Sequence, residues 1–262
     1  MYQCQAPPEV NYLFAQLTQV EPYPPGVLRI PDAGAGRPLL PGIAFFPGGT
    51  GLWMADLVSQ PSVFPVAGVM IIGKDFDSKT AYHNTRNLMQ KGPCDPCKRN
   101  PATWGTLIPF LEGVGIAPEA CFFTEFFMGL REGIKATGKF PGVDDVRFVN
   151  RCCEFMKIQL KTQEPRLVLT LGKEVPPRLA ALSPQSLRRW ADVKTLRDLD
   201  AAGSIVHNVQ FLGMRTPCSV VALTHPSNRR PNVKYRTYRT LQGHEAEVAM
   251  IRDALKQCGM CV

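Results

Sequence analysis

Three side chains with acid–base chemistry, Asp75, Glu125 and His225, lie at the ends of short apolar runs of the sequence. Asp75 follows the run GVMIIGK, Glu125 ends CFFTE, and His225 ends SVVALTH. Carboxylates and imidazoles can orient or deprotonate water, stabilise a developing positive charge and donate a hydrogen bond to a developing negative one. A structural role such as helix capping explains each residue alone. Three such residues at equivalent strand ends, however, favour a shared functional site.

Four short apolar runs, rich in β-branched or aromatic residues, predict strands that are buried on both faces of a sheet. They are residues 68–73, 121–127, 166–172 and 219–225. Apolar residues at helical spacing predict the helices that lie between and after these strands. The predicted helices are residues 103–115, 144–161 and 246–255. Residues 183–213 predict a further amphipathic helix and a strand, whose places in the fold stay open.

The alternation of strand and helix predicts a three-layer α/β/α fold around a central, mainly parallel four-stranded sheet. In such a sheet the ligand site lies outside the carboxyl ends of the strands. Asp75, Glu125 and His225 all lie at this edge of the predicted sheet. We therefore expect them to face one pocket.

A length of 262 residues with 45% apolar composition suits one domain with a sizeable core. We expect residues 1–66, which are rich in Pro and Gly, to wrap the core as ordered loops, and residues 67–262 to form the α/β core. No apolar run is long enough to span a membrane, and residues 1–10 lack the features of a signal peptide. We expect a cytoplasmic, monomeric protein.

The formal net charge is +8, and much of the positive excess lies in residues 225–243, which contain no Asp or Glu. The basic side chains of this segment are Arg229, Arg230, Lys234, Arg236 and Arg239. Such a cluster indicates a polyanionic partner such as DNA, although a solvated basic loop has the same composition.

Two motifs resemble those of the uracil-DNA glycosylase superfamily. GKDFD at residues 73–77 resembles its first motif, GQDPY in the best-known branch, and HPSNRR at residues 225–230 resembles its last motif, HPSPLS. FFTE at residues 122–125 occupies the place of the strand that ends in a base-reading Asn. The order and spacing agree from about residue 40 onward. The resemblance implies a monofunctional DNA glycosylase that flips a nucleotide out of the duplex and cleaves the base from its deoxyribose.

The resemblance also implies roles for individual residues. Asp75 would stabilise the oxocarbenium ion of the sugar and orient or deprotonate water, while His225 would donate a hydrogen bond to the pyrimidine O2. Arg229 stands where the family commonly carries an apolar wedge and would enter the vacated base stack. The other residues expected to contact DNA are Ser227, Asn228, Arg230, Lys234 and Arg236.

Two departures from the family bear on the target base. An ionised Glu125 accepts hydrogen bonds only, which suits the N4 amine of cytosine and repels the O4 of uracil, and a protonated Glu125 could also donate to N3. Asp77 replaces a tyrosine that excludes substituents at C5 of the base. Together they favour a C5-substituted cytosine such as glucosylated hydroxymethylcytosine, the substrate of the bacteriophage-replication-inhibition DNA glycosylases. If Glu125 instead pairs with a nearby Arg, ordinary uracil or another deaminated base remains the alternative.

An aromatic side chain is expected to stack on the flipped base. Phe76 and Tyr82 are the candidates nearest the first motif, with Phe45 and Phe46 as further ones. Core packing is the simpler explanation for any one of these four residues.

The chain contains nine cysteines, several of them in apolar surroundings where a reduced thiol behaves as a small hydrophobic group. Those expected in the core are Cys121, Cys152, Cys153 and Cys218. Two pairs have C-x-x-C spacing, Cys94/Cys97 and Cys258/Cys261, and could bind zinc if their loops met. Iron–sulfur branches of the superfamily carry such pairs before the first motif, whereas Cys94 and Cys97 follow it. We therefore favour free thiols, with no metal and no cofactor.

Two interpretations from other classes stay open. A nucleotide-handling α/β enzyme would carry a phosphate-binding loop after the first strand, but GKDFD contains neither G-x-G-x-x-G nor a Walker pattern. A DNA-binding module without catalysis is the second, and the presence of both Asp75 and His225 argues against it.

Overall fold

The computed structural model of the chain describes residues 7–30, 45–48, 63–89 and 102–260. A central mixed five-stranded sheet is flanked by helices, so the chain is an α/β protein. The strands among the described residues are β1 (Val27–Leu28), β2 (Val69–Asp75), β3 (Cys121–Phe127), β4 (Leu130–Arg131), β5 (Leu167–Leu171), β6 (Ile205–Val209), β7 (Cys218–Leu223), β8 (Thr237–Tyr238) and β9 (Leu241–Gln242).

Among the described residues the helices are α1 (Pro8–Leu17), α2 (Lys79–Met89), α3 (Trp104–Gly113), α4 (Val146–Gln163), α5 (Val175–Leu182), α6 (Leu196–Ala202), α7 (Arg229–Asn232) and α8 (Gly243–Gln257). The apolar periodicity predicted α3, α4 and α8, whose bounds lie close to the predicted residues 103–115, 144–161 and 246–255. Asp145 begins α4 as its N-cap, because its Oδ1 accepts a hydrogen bond of 2.8 Å from the backbone N–H of Phe148. No helix within these described ranges is both long and apolar enough to cross a membrane.

The central sheet has the strand order β3-β2-β5-β7-β6. The strands β3, β2, β5 and β7 are parallel and correspond to the four predicted strands, whereas β6 runs antiparallel to β7 at one edge. The predicted count of four strands is therefore corrected to five. His207 and Asn208 are exposed in β6, so this edge strand lacks the continuous apolar run by which buried parallel strands are recognised.

The N-terminal region departs from the prediction of loops. Residues 8–17 form the helix α1, which buries Val10, Leu13 and Leu17 against the core. Pro8 is compatible with this helix because the first helical position has no intrahelical N–H bond to lose. The remainder of the predicted wrap lies mostly outside the described residues.

The connections of the parallel strands diverge between β2 and β5. From β2 the chain passes first to β3 on one side, and only later to β5 and β7 on the other. Such a switch point leaves a crevice beyond the carboxyl ends of the strands, because the two connections leave in opposite directions. Gly172 follows β5 at this crevice with φ +85°, a left-handed conformation that disfavours side chains other than hydrogen.

Candidate functional site

Asp75 ends β2 at the crevice, and its carboxylate forms a two-point ion pair with Arg131. Arg131 Nε donates to Asp75 Oδ1 at 3.0 Å, and Arg131 Nη2 donates to Oδ2 at 2.9 Å. Both side chains are buried, with 5% of Asp75 and 4% of Arg131 exposed. This planar, bidentate arrangement fixes the orientation of the carboxylate.

Arg131 is itself held by the backbone around it. It lies in β4, which pairs with β1, and its guanidinium also donates to the carbonyls of Gly138 and Lys139, both at 2.9 Å. No motif of the sequence points to Arg131, since it is a single basic residue in the segment GLREG. Its role becomes visible only when β4 is placed beside the end of β2.

Lys74 adds a second cation to the same carboxylate. Its Nζ lies 3.2 Å from Asp75 Oδ2 and donates to the carbonyl of Gly138 at 3.0 Å. One carboxylate therefore faces two cations, so this cluster carries a net positive charge. Lys74 belongs to the GKDFD motif, so its position next to Asp75 in the sequence could have identified it as a site residue.

His225 lies two residues after Leu223, where β7 ends, and caps the short turn Pro226–Asn228. The backbone N–H of Ser227 donates to His225 Nδ1 at 3.3 Å, and Ser227 Oγ lies 2.8 Å from the same atom. Because a backbone N–H can only donate, Nδ1 is the unprotonated nitrogen, and the neutral ring carries its proton on Nε2. A Cβ at Gly172 would lie 3.3 Å from His225 Cβ, so the glycine leaves room for this side chain.

The pKa of His225 is lowered from its ordinary value. Burial is the main cause because it disfavours the charged imidazolium, and the positive charge of Lys74 adds to the effect while Asp75 opposes it. The imidazole is therefore a neutral hydrogen-bond donor at Nε2.

Glu125 lies on β3 opposite Gly73 of β2. Its side chain crosses the backbone there, because a Cβ at position 73 would lie 2.7 Å from Glu125 Cδ. The Oε2 atom is buried and has no hydrogen-bond partner within the described part of the chain. Burial raises the pKa of Glu125 well above its ordinary value, Asp75 raises it further, and Lys74 opposes the shift. A neutral carboxyl group can both donate and accept a hydrogen bond.

These groups belong to one electrostatic cluster. The charges of Lys74 and Asp75 act on both Glu125 and His225, although the four residues come from three separate strand ends. The structure therefore brings Asp75, Glu125 and His225 together at the carboxyl edge of the sheet, beside Gly172. The arrangement supplies an oriented carboxylate, a neutral imidazole donor and an unpaired carboxyl oxygen.

Asp77 and Ser78, which follow Asp75 closely in the sequence, have different roles. Asp77 is an exposed residue whose Oδ1 accepts from the N–H of Ser78 at 2.8 Å, and partial burial of its carboxyl group raises its pKa despite that bond. Ser78 begins α2, since its Oγ accepts from the N–H of Ala81 at 3.2 Å. Ser78 rather than Asp77 thus provides the helix cap, and Asp77 stays available to a ligand.

The aromatic candidates for base stacking are mostly core residues. Phe76 is 7% exposed and belongs to the hydrophobic core, so core packing accounts for its position, and its stacking role stays a prediction. Phe45 and Phe46 are also buried, and Phe46 pairs with Thr124 of β3. Tyr82 on α2 is half-buried, with its ring centroid 5.9 Å from that of His83.

Arg229 does not extend from the loop as a wedge. It is buried, its guanidinium pairs with Glu247 of α8 and lies 3.9 Å above the ring of Phe110, and its Nη2 lies 2.9 Å from His244 Nδ1. The expectation that Arg229 enters the base stack is therefore corrected. The buried carboxylate of Glu247 holds the guanidinium inside the protein.

Arg236 is likewise a core residue rather than a DNA contact. It has no exposed surface, its Nη1 donates to Glu247 Oε1 at 2.6 Å, and its Nε donates to Asp200 Oδ1 at 3.0 Å. It also donates to Ser204 Oγ at 2.9 Å and to the carbonyl of Ala222 at 2.7 Å. Glu247 could have been identified from the sequence as a charged residue on the otherwise apolar face of α8. The sequence does not show which residues Glu247 pairs with.

The exposed part of the basic segment is smaller than its composition indicates. Ser227, Asn228, Arg230 and Lys234 are exposed. Lys234 Nζ lies 4.9 Å from the ring centroid of exposed Tyr235. These side chains remain candidates for contacts with a polyanion, whereas the charges of Arg229 and Arg236 are neutralised internally.

Among the described residues, the cysteines form no second site of comparable chemistry. Cys121, Cys152 and Cys218 are buried and Cys153 is half-buried, while Cys94, Cys97 and Cys261 lie outside the described residues. Within the described ranges, no three His, Cys, Asp or Glu side chains cluster as metal ligands would. A cavity of about 350 Å³ opens at the opposite edge of the sheet, near Arg166 and Cys258, and contains none of the candidate residues.

No protein-family model matches the sequence, and no curated protein matches it.

Proposed function

We propose that the protein is a DNA glycosylase that flips a modified pyrimidine nucleotide out of DNA and hydrolyses its N-glycosidic bond, leaving an abasic site. One observation carries the proposal: Asp75, Glu125 and His225 lie together at the carboxyl edge of the sheet, where the side chain of Glu125 lies against Gly73, two residues before Asp75, and His225 lies beside Gly172. The same three residues occupy the motif positions that resemble the uracil-DNA glycosylase superfamily. The proposal includes a three-layer fold of that superfamily, action as a monomer, and a cytoplasmic location.

In the proposed reaction, Asp75 acts on the sugar. Cleavage builds positive charge on the deoxyribose, and a carboxylate held in place beside it stabilises that charge without reorganising. Asp75 Oδ1 accepts one hydrogen bond from Arg131 and retains a lone pair for the attacking water, whereas Oδ2 is contacted by both Arg131 and Lys74. Arg131 thus positions the carboxylate and does not itself contact the reacting atoms.

His225 and Lys74 act on the departing base. The neutral imidazole donates from Nε2 to the pyrimidine O2, where negative charge develops as the bond breaks. A neutral donor provides no net charge, and the ammonium group of Lys74 supplies it at the same cluster. Leaving-group stabilisation is therefore divided between a hydrogen bond and a nearby cation.

Glu125 reads the base through its buried carboxyl group. As a neutral acid it donates to N3 of cytosine and accepts from the N4 amine, while exposed Asp77 offers acceptors to a polar group at C5. The favoured substrate is a C5-substituted cytosine such as the glucosylated hydroxymethylcytosine of phage DNA, which would make the enzyme an antiviral defence protein. The raised pKa of Glu125 also favours a second candidate. A neutral carboxyl group can pair with uracil by exchanging the roles of its two oxygens, and the enzyme would then repair deaminated bases.

The test uses oligonucleotides that contain uracil, cytosine, hydroxymethylcytosine or glucosylated hydroxymethylcytosine at one position. After incubation with the protein, alkali cleaves the strand at any abasic site. We expect cleavage of one or both modified cytosines, with cleavage of uracil alone supporting the repair alternative. Binding without cleavage of any oligonucleotide would contradict the proposal and identify a non-catalytic DNA-binding protein.

Base reading has its own test. Glu125→Asn shifts the preference towards uracil, because an Asn amide donates to O4 and accepts from N3–H. Glu119→Asn is the matched control, since Glu119 is exposed near the other end of β3. An unchanged base preference in Glu125→Asn would overturn the assigned role of Glu125.

A further inference from the structure

The segment 132–139 forms an exposed loop beside the candidate site. All eight of its residues are exposed, and it begins immediately after Arg131 and ends before buried Phe140. Gly133 and Gly138 lie near its two ends with φ angles of +83° and +94°. These left-handed glycines turn the chain outward and back, so residues 134–137 project from the protein.

Both ends of the 132–139 loop are bonded to the candidate site. The carbonyl of Gly138 accepts from Lys74 Nζ at 3.0 Å and from Arg131 Nη2 at 2.9 Å. At the other end, the carbonyl of Gly133 accepts from Thr80 Oγ1 at 3.2 Å. The base of the loop is therefore held by the same two cations that contact Asp75.

Ile134 lies in the projecting part of the 132–139 loop. Its side chain is 81% exposed, the highest value among the large hydrophobic residues that the structure describes. Lys135 follows it directly and is also exposed. A single exposed apolar residue needs no explanation in general. Here, however, it stands on a bonded protrusion next to the carboxylate proposed to act on the sugar.

Duplex DNA gives such a side chain a partner. Proteins that unstack or kink DNA insert apolar wedges such as Ile or Leu between base steps, and neighbouring Lys or Arg side chains contact the phosphates. The residue expected to be the wedge, Arg229, is buried against Glu247 and Phe110 and does not reach outward.

The 132–139 loop and the loop after His225 lie on opposite sides of the crevice. The first follows β4 and is bonded at its base to Lys74 of β2, and the second follows β7, which lies two strand positions from β2 in the sheet, or roughly 10 Å. Exposed Arg230 and Lys234 are on the second side. The two loops therefore bracket the site, one with an apolar tip and the other with basic side chains.

We propose that the 132–139 loop enters the base stack of duplex DNA, with Ile134 as the wedge that occupies the space of the flipped nucleotide. This inference rests on the proposed glycosylase function and adds to it the element that opens the duplex. It assigns the basic loop after His225 to the phosphate backbone alone.

The test compares excision from duplex and from single-stranded oligonucleotides that carry the same target base, under single-turnover conditions. Ile134→Ser lowers the ratio of duplex to single-strand rates by at least about tenfold, because only the duplex must be unstacked. Ile134→Leu restores most of the ratio, since Leu also serves as a wedge. Leu212→Ser is the matched control: Leu212 is 72% exposed and lies before β7, at the opposite edge of the sheet.

A fluorescence measurement provides the second readout. A duplex with 2-aminopurine next to the target base brightens on binding of the wild-type protein as the stack opens, and Ile134→Ser abolishes the increase. An unchanged rate ratio together with an unchanged fluorescence increase would overturn the inference while leaving the glycosylase function intact. A wild-type protein that neither cleaves nor brightens the duplex would refute both.

Discussion

At the end of β2 the carboxylate proposed to be catalytic is itself a member of a buried ion pair, whereas at the end of β7 the ion pairs lie beneath the imidazole proposed to act on the base. Asp75 is bonded at both oxygens by Arg131. On the other side, Glu247 binds the backbone N–H of Thr224 at 2.6 Å and pairs with two arginines, while His225 is oriented by Ser227.

On the β7 side, the residue that stabilises the fold, Glu247, differs from the residue proposed to act in the reaction, His225. On the β2 side, Asp75 has both roles. Substituting Asp75 removes the proposed catalytic charge and leaves the buried Arg131 unpaired in the same step. Substituting Ser227 disturbs only the orientation of His225, because Glu247 still anchors the strand end. The two sides should therefore respond differently to mutations that remove one partner.

The largest expected effect on stability comes from Glu247→Ala. It leaves Arg229 and Arg236 buried without their shared carboxylate, and breaking a buried ion pair in this way costs about 3–5 kcal/mol. Denaturant unfolding followed by circular dichroism measures the loss. Glu245→Ala is the control, since Glu245 is exposed on the same helix and its removal leaves the free energy of unfolding nearly unchanged. Equal stability of both variants would show that the network beneath His225 contributes little.

The next effect is on catalysis at the Asp75 side. Asp75→Asn lowers the single-turnover rate of excision by about 100- to 1,000-fold, the range typical of losing one preorganised electrostatic group. It also destabilises the protein, because the buried guanidinium of Arg131 loses its counter-charge.

The double variant Asp75→Asn with Arg131→Met separates these two consequences. Removing the buried cation restores much of the stability but does not restore excision. Recovery of excision in the double variant would show that Asp75 acts only as the partner of Arg131.

A smaller effect is expected for Ser227→Ala on the His225 side. The substitution removes the hydroxyl 2.8 Å from Nδ1 but keeps the backbone N–H that sets the tautomer. The loss of one hydrogen bond, about 1 kcal/mol, corresponds to a roughly fivefold slower excision. The free energy of unfolding changes little. The control is Ser186→Ala, since Ser186 Oγ accepts only a long hydrogen bond of 3.4 Å from the N–H of Gln210, and rates and unfolding curves of the two variants are compared. A large loss of stability in Ser227→Ala would contradict the proposed separation.

The pH dependence of stability should have opposite signs on the two sides. Folded Glu125 keeps its proton above 4.5, its ordinary pKa, so the folded state binds more protons and stability falls as pH rises from 4.5 towards the raised pKa. Folded His225 releases its proton below its ordinary 6.5, so the unfolded state binds more protons and stability rises as pH rises from the lowered pKa towards 6.5.

Two variants isolate these contributions. Glu125→Gln cannot ionise, so the stability of the wild type relative to this variant declines as pH rises above 4.5. His225→Gln cannot bind the proton, so the stability of the wild type relative to it increases as pH rises towards 6.5. Both are measured as differences in denaturant unfolding from pH 4 to pH 9. Parallel curves for the wild type and Glu125→Gln would contradict the burial of an ionisable Glu125.

Much of the site was predictable because its residues lie at strand ends. The runs that form β2, β3 and β7 are continuously apolar, so their pattern alone places Asp75, Glu125 and His225 at one edge of the sheet. The partners of these residues were not predictable. Arg131 lies 56 positions from Asp75 in the sequence, and nothing in its neighbours marks it as a counter-ion.

The exposure of the basic side chains in residues 225–243 was also not predictable from the sequence. Composition presents five basic residues between positions 225 and 243 as equivalent, yet Arg229 and Arg236 are buried while Arg230 and Lys234 are exposed. Exposure depends on whether a carboxylate on another element lies within reach. Glu247 and Asp200 meet that condition only through the packing of α8 and α6.

The sequence by itself determined the order of the four main strands and of three helices that lie between and after them, the parallel direction of these strands and the edge at which the polar residues lie. These follow from the local periodicity of apolar residues, which neighbouring positions carry without reference to the rest of the chain. Only the tertiary structure decided the place of the fifth strand at the edge of the sheet, the ion pairs of Asp75 and Glu247, and which basic side chains remain free. Pairing and burial are set by contacts between residues that are distant in the chain, so no local pattern encodes them.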